Sequence, residues 1–210
     1  MLSALTAGLV PDRDPALPLI TWIDGPARIE LSGATTANWV CKTANLLTDG
    51  YASPSRVGLL LPLHWQTPCL LLGAVAAGST VVVATTPEDL AGCEVAFTGA
   101  TDAEAALDAG VDDVFACSLT PFATRLPSVP PLVLDAAVEI PSYGDRFGGR
   151  PAHAALEGLV VPAVDAGPAD RVLVTRLDQA LGALATGAAV VLLVSGDAAQ
   201  EGVTVDLSAS

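Results

Sequence analysis

Few residues in this chain have the chemistry to act on a ligand. His64 and Trp65 adjoin just after an apolar run, 57–61, has been stopped by Pro62. An imidazole and an indole at the carboxyl end of a buried parallel strand would stand where open α/β sheets take ligands. Both are therefore candidates for lining a small pocket, with Trp65 closing over the core as the simpler reading. Asp145 and Arg146 fall in PSYGDRFGGRP, 141–151, the most irregular and polar stretch of the second half. They are candidates for a polar anchor, with a solvated turn and a local ion pair as the simpler reading. No Ser or Cys accompanies His64 or His153 in a nucleophile pattern, so each histidine reads as structural or surface.

Other chemistries lack their residues. There is no G-x-x-x-x-G-K-[ST] and no G-x-G-x-x-G to cradle phosphates. Gly148-Gly149 has no lysine or hydroxyl beside it and reads as loop. No G-x-S-x-G elbow occurs, and Ser195 before Gly196 has a glycine on one side only. Asp112-Asp113 and Asp102 with Glu104 are too isolated for an acid/base pair or a metal cage. Cys41, Cys69, Cys93 and Cys117 show no C-x-x-C spacing and sit in apolar segments, so they read as reduced core thiols. With no cysteine near either histidine, zinc is not expected. No catalytic residue, metal or cofactor is assigned.

Composition narrows the partners. The 210 residues carry a formal charge of −14, which disfavours nucleic acid, since phosphate binding needs a basic face. The single lysine, Lys42, and eight scattered arginines offer no cluster for anionic lipid. Hydrophobic residues at 51% and charged residues at 15% give ample core and argue against disorder. Residues 57–87 carry no charge, but Pro62, His64, Gln66 and Pro68 interrupt them. The clean helical part is about 13 residues, roughly 20 Å, short of a ~30 Å hydrocarbon layer. Residues 1–10 lack a basic signal-peptide start. The expectation is a soluble, cytoplasmic protein.

The elements that must position these residues follow from periodicity. The run RVGLLLPLHWQTPCLLLGAVAAGSTVVVA, 56–84, reads as strand, turn, helix, strand. Its first strand is continuously apolar, Pro68 falls in the helix's first turn, Gly78 stops the helix, and three valines open the next strand. RVLVTRLDQALGALATGAAVVLLV, 171–194, repeats the pattern, with Gly187 in place of Gly78. Ahead of them, 19–24 and 27–31 flank Gly25-Pro26 as a hairpin. Ser32 can cap a helix whose apolar face is Ala37, Val40, Cys41, Ala44 and Leu47 and which ends at Gly50. A short helix is expected within 2–18, a helical turn before a strand at 94–97, and a strand at 114–117. Thr101 to Glu104 match a capping box for a helix ending at Gly110. Residues 118–131 form a proline-bearing connector. Short strands are expected at 132–134, 137–140 and 203–207, and a helix at 153–158. This amounts to a single three-layer α/β domain over 1–210 with a mostly parallel sheet, pseudo-duplicated, with subdomains at 19–117 and 132–207.

Residues 19–98 resemble the opening of the adenylate-forming (AMP-binding) superfamily: acyl-CoA synthetases, luciferases and peptide-synthetase adenylation domains. The resemblance is carried by Ile29 to Leu47, Arg56-Val57-Gly58-Leu59-Leu60-Leu61-Pro62, Ala76-Ala77-Gly78, Val81 to Ala84, Glu88-Asp89-Leu90 and Val95-Ala96-Phe97-Thr98. Asp170-Arg171-Val172-Leu173 and Gly187 to Val191 are similar to the family's second half. It implies two similar αβ subdomains and a carboxylic acid or nucleotide as ligand. The family's Ser/Thr/Gly-rich phosphate loop with its lysine would lie within 141–169, where this sequence has no lysine and no such loop. The chain thus resembles a shortened, motif-stripped relative of the N-terminal domain, of the kind found among small actinobacterial proteins. The fold carries over and no catalytic residue does. The expectation is a non-catalytic binding or interaction protein, a homodimer or bound to another protein. The alternatives are an enzyme keeping acyl or nucleotide chemistry through His64, Asp145 or Arg146, and a carrier of acyl or aryl acids.

Overall fold

Eleven strands arise where β-branched and apolar runs meet turn residues, and they pair into two sheets in a computed structural model that describes residues 14–149 and 154–209. The expected helix within 2–18 falls mostly outside those residues, as does His153. The chain clusters into two units, one made of 1–37, 63–68 and 160–210 and the other of 38–62 and 69–159. Neither is a single continuous stretch.

The first unit carries the five-stranded sheet β11-β9-β10-β1-β2. Strands β1 (Pro18–Asp24) and β2 (Ala27–Ser32) form the expected hairpin, the one antiparallel pair among the described residues. β1 then lies parallel to β10 (Ala189–Ser195), which lies parallel to β9 (Arg171–Val174), and β9 to β11 (Val205–Asp206). The helix between β9 and β10 is Leu177–Ala185. Gly187 takes φ +84° after it, the left-handed turn that ends such helices.

An ion network binds this sheet to its tail. Arg28 contacts Glu30 at 2.6 Å and Glu201 at 2.7 Å, and Arg171 contacts Glu201 at 2.8 Å and the Thr21 hydroxyl at 2.7 Å. The Arg28 guanidinium, reinforced by Arg171, holds the Glu201 carboxyl below its ordinary value. An unfolded glutamate takes its proton near pH 4.3, and the folded one resists to lower pH. The contribution is therefore complete above about pH 4.3 and is lost as pH falls through the lower folded value. Urea midpoints are expected to fall below about pH 4.3, and Glu201→Gln should make that fall shallower. An equally steep fall in the variant would place the acid sensitivity elsewhere.

The second unit carries the all-parallel sheet β7-β6-β5-β3-β4-β8. Its strands are β3 (Arg56–Leu60), β4 (Thr80–Val83), β5 (Val95–Gly99), β6 (Asp113–Cys117), β7 (Val133–Asp135) and β8 (Ala155–Glu157). Helices α1 (Gly33–Asn45) and α2 (Gln66–Ala77) begin in residues of the first unit and continue into the second. The Ser32 hydroxyl accepts the Thr35 N–H, the expected cap of α1. Helix α3 is Ala103–Asp108 and α4 is Ala136–Glu139, so with Leu177–Ala185 as α5 each sheet has one strand–helix–strand unit of the repeated pattern. Phe97 and Phe115, both fully buried, stack across β5 and β6 at 5.2 Å between ring centres. Leu90, Ala96, Ala103, Val111 and Val114 form a further cluster.

The α/β, mostly parallel architecture is as the sequence implies, but in two sheets, and four local expectations are corrected. Residues 137–140, expected as strand, are the end of α4 and the start of a 3₁₀ turn, because the Asp135 carboxylate accepts the Ala137 N–H at 2.9 Å and starts a helix. Residues 155–157, expected as helix, form β8 on the edge of β4, where Arg56 donates to both Glu157 oxygens at 2.9 and 2.8 Å. The capping box is absent at Thr101, whose hydroxyl bonds the Asp102 carboxylate instead. One forms earlier, where Asp89 accepts the Thr86 N–H at 2.9 Å. Leu132, expected to open a strand, sits at φ +68° in a turn closed by the Val133 N–H and the Pro130 carbonyl. No helix among the described residues is long and apolar enough to cross a membrane.

Candidate functional site

The order of the second sheet fixes where a ligand would sit. From β3 the chain passes through α2 to β4 on one side, then returns past β3 to β5 and continues to β6 and β7 on the other. The connections that leave β3 and β5 thus diverge, opening a crevice beyond their carboxyl ends, the usual ligand position in such sheets. A cleft of about 500 Å³ lies there. Pro62 comes from the end of β3, Gly99 to Asp102 from β5, and Cys117 to Thr120 with Leu126 from β6 and its connector.

Each wall is held by local bonds. The Asp102 N–H returns to the Gly99 carbonyl at 3.1 Å, closing a tight turn after β5. The Ser118 and Thr120 hydroxyls share a bond of 2.9 Å, and the Thr124 N–H donates to Thr120 Oγ1. Asp135, mostly buried, accepts the Leu126 N–H at 2.8 Å and so pins the connector to the end of β7. The lining combines apolar Pro62, Leu119 and Leu126 with hydroxyls and the Asp102 carboxylate. Burial, with the nearby Asp135 charge second, pushes the Cys117 thiol up, so the cleft holds a thiol and not a nucleophilic thiolate at neutral pH.

The residues singled out from the sequence are placed elsewhere. His64 and Trp65 are almost fully buried in the first unit. The His64 ring meets Trp22 edge-on at 4.7 Å and tilts over Trp65 at 5.4 Å. Its Nδ1 accepts the Gln66 N–H at 3.3 Å. Trp22 Nε1 donates to the Leu63 carbonyl at 3.1 Å. Asp145 and Arg146 lie in the second unit, on a loop tied to α1. Lys42 Nζ pairs with Asp145 at 2.6 Å and donates to the carbonyls of Pro141 and Tyr143, while the Asn45 amide donates to the carbonyls of Gly144 and Arg146. Ser195 ties down the hairpin turn, donating to Asp24 at 2.6 Å and accepting the Gly25 N–H. All four cysteines are free.

The sequence reading missed Thr101, Asp102, Ser118 and Thr120 as a group. The only local signal was hydroxyl-bearing residues after two valine- and phenylalanine-containing strands. The parallel pairing of β5 with β6, which sets Gly99 beside Cys117, is what brings them to one crevice.

No family model matches the sequence. The "TIGR03089 family protein" of Mycobacterium tuberculosis (strain ATCC 25618 / H37Rv) is 35% identical, over 89% of this chain and 86% of its own length. Among solved structures, the acyl-CoA synthetase of Brucella canis aligns with a TM-score of 0.72 at 16% identity. The anthranilate CoA ligase AuaEII in complex with anthranoyl-AMP aligns with a TM-score of 0.72 at 14% identity. The amide bond synthetase McbA from Marinactinospora thermotolerans aligns with a TM-score of 0.61 at 18% identity. These matches cover 93% of this chain but only 43%, 45% and 43% of those chains, so the likeness is one of fold and spans less than half of each enzyme. The chain belongs to the TIGR03089 family and has the α/β fold of the N-terminal part of adenylate-forming enzymes.

Proposed function

We propose that this chain is a non-catalytic binding relative of the adenylate-forming enzymes, holding a small molecule in the crevice beyond β3 and β5 without activating it. The observation that carries the reading is the crevice itself, a cleft of about 500 Å³ whose polar lining is three hydroxyls and a carboxylate. Adenylation requires groups that stabilise negative charge building on a phosphate, and among the described residues this lining supplies no cation. The chain's one lysine is engaged by Asp145 and two carbonyls. Arg28, Arg56, Arg171 and Arg176 are each paired with a carboxylate. The interval where the related enzymes would carry a phosphate loop is here taken up by the tethered 141–146 loop and by β8.

A protein partner belongs to the same reading. Phe122 and Leu132 stand 79% and 86% exposed on the connector and its turn, which supports an apolar contact with a second copy or another chain. Sedimentation at micromolar concentration should show a species larger than 21.1 kDa. A strictly monomeric boundary counts against a second copy. The free thiols favour a cytoplasmic setting.

The decisive experiment is ATP–pyrophosphate exchange with a panel of acyl and aryl acids, run beside ligand-observed NMR on the same panel. Exchange at background is expected. Exchange above background that disappears on changing His64, Asp145 or Arg146 would replace the binding reading with an adenylating one.

A further inference from the structure

The lining of the crevice also specifies the charge of what it would hold, an inference that rests on the binding reading above. Among the described residues Asp102 is the one carboxylate in the lining, and burial keeps the Cys117 thiol protonated. Its Oδ2 accepts the Thr101 hydroxyl at 3.2 Å, and among the described residues its Oδ1 accepts no bond. The side chain is half-buried on the residue that closes the turn after β5, so part of its hydration is already replaced by protein. The Thr120 hydroxyl oxygen is filled by Ser118 and by the Thr124 hydroxyl and N–H, whereas the Ser118 hydroxyl bonds only Thr120 and keeps acceptor capacity for a ligand N–H or O–H. Leu119, Leu126 and Pro62 supply an apolar wall. Among the described residues no lysine, arginine or histidine lines the cleft, and the whole chain carries −14. A carboxylate or phosphate entering here would meet a like charge with no compensating cation. An ammonium would meet an open carboxylate oxygen, a hydroxyl acceptor and an apolar wall for its carbon skeleton.

We propose that the crevice beyond β3 and β5 binds a small primary amine with an apolar body, its ammonium on Asp102 and a further N–H on the Ser118 hydroxyl. The class differs from the carboxylic acids that the fold resemblance implies. Three probes of matched shape test it at pH 7.5: 2-phenylethylamine, 2-phenylethanol and phenylacetate, titrated by ligand-observed NMR against the full chain. The expected order is amine tightest, alcohol weaker and phenylacetate weakest. Asp102→Asn keeps the shape and removes the charge. It should weaken the amine about tenfold and leave the alcohol unchanged. Leu119→Trp, on the half-exposed wall, fills the cleft and should remove binding of every probe.

The failures separate. Phenylacetate binding as tightly as the amine, or amine binding indifferent to Asp102→Asn, overturns the ligand class. If Leu119→Trp still abolishes binding in that case, the crevice stands. Binding of no probe, or binding unmoved by Leu119→Trp, overturns the ligand class and the crevice together. Far-UV circular dichroism matching the parent for both variants shows that the losses are not those of unfolding.

Discussion

Phe115→Ala is expected to destabilise the second unit by about 3–5 kcal/mol, the range for emptying a large aromatic site in a packed core. The ring is fully buried on β6, stacks on Phe97 at 5.2 Å and receives Tyr51 edge-on at 5.2 Å. Phe97 and Phe115 are direct cross-strand partners in the parallel register, so the cavity would open between two central strands. The site cannot collapse easily, because β6 is fixed by β5 on one side and β7 on the other. Tyr51 shares the environment, and burial raises its phenol to about 12. Against a usual total of about 5–15 kcal/mol, the loss is a large fraction. It also reaches function, since β6 ends at Cys117 and delivers Ser118 and Thr120 to the crevice. Urea unfolding of Phe115→Ala and Phe115→Leu separates lost volume from lost aromatic contact, with the leucine variant expected to lose about 1–2 kcal/mol. An alanine variant within 1 kcal/mol of the parent would mean that this ring pair is not the centre of the unit.

Gly73→Val is expected to cost at least about 3 kcal/mol, at the upper end of overpacking effects. A Cβ at Gly73 would land on Thr43 Cβ and stand 2.7 Å from Thr43 Cγ2 and 3.0 Å from the Val40 carbonyl oxygen. Neither neighbour yields readily. Thr43 Oγ1 donates to the Trp39 carbonyl at 2.9 Å, which locks its rotamer, and the Val40 carbonyl is helix backbone. Helices α1 and α2 meet here backbone to backbone, and glycine sets the approach. Gly73→Ala should lose less, because alanine regains about 1 kcal/mol of helix propensity. Thr43→Gly removes both obstructing carbons and should recover part of the Gly73→Ala loss in a double-mutant cycle. Thermal melts of the four proteins measure the coupling. Purely additive losses would show that the two residues do not constrain each other.

Gly73 illustrates what local reading cannot see. In LLLGAVAAG it is one small residue among apolar ones, while Gly78, five residues on, announces itself as a helix stop and takes φ +92°. A stop is a property of the local backbone, and a close approach is a property of two helices brought together by the rest of the fold. Residues 137–140 and 155–157 make the same point. Valine and isoleucine in 137–140 suggest strand, but the Asp135 carboxylate sets a helix start. Residues 155–157 follow helical composition, but the open edge of β4 and the reach of Arg56 make a strand. In each case a partner distant in sequence, or a single capping bond, outweighs a propensity of a few tenths of a kcal/mol per residue.

His64 and Trp65 attracted attention because aromatic and imidazole groups after a parallel strand can line a pocket. Their position after β3 was legible, whereas their burial against Trp22 was not. Asp145 was legible as a polar loop residue, but its engagement by Lys42, 103 positions earlier, was not. Asp102 read as a helix-start residue and is, among the described residues, the one carboxylate of the crevice.

By itself the sequence determined the elements: a hairpin around Gly25-Pro26, an amphipathic helix to Gly50, and two strand–helix–strand units closed by Gly78 and Gly187. These follow from hydrophobic period and turn chemistry, which act over a few residues. Only the tertiary structure decided that β1 would lie beside β10, that β3 would adjoin β5, and hence where the loops diverge to leave a cleft. The physical reason is that strands buried on both faces are nearly interchangeable partners. Their order is set by the packing of the whole sheet, and the composition of any one strand does not encode it.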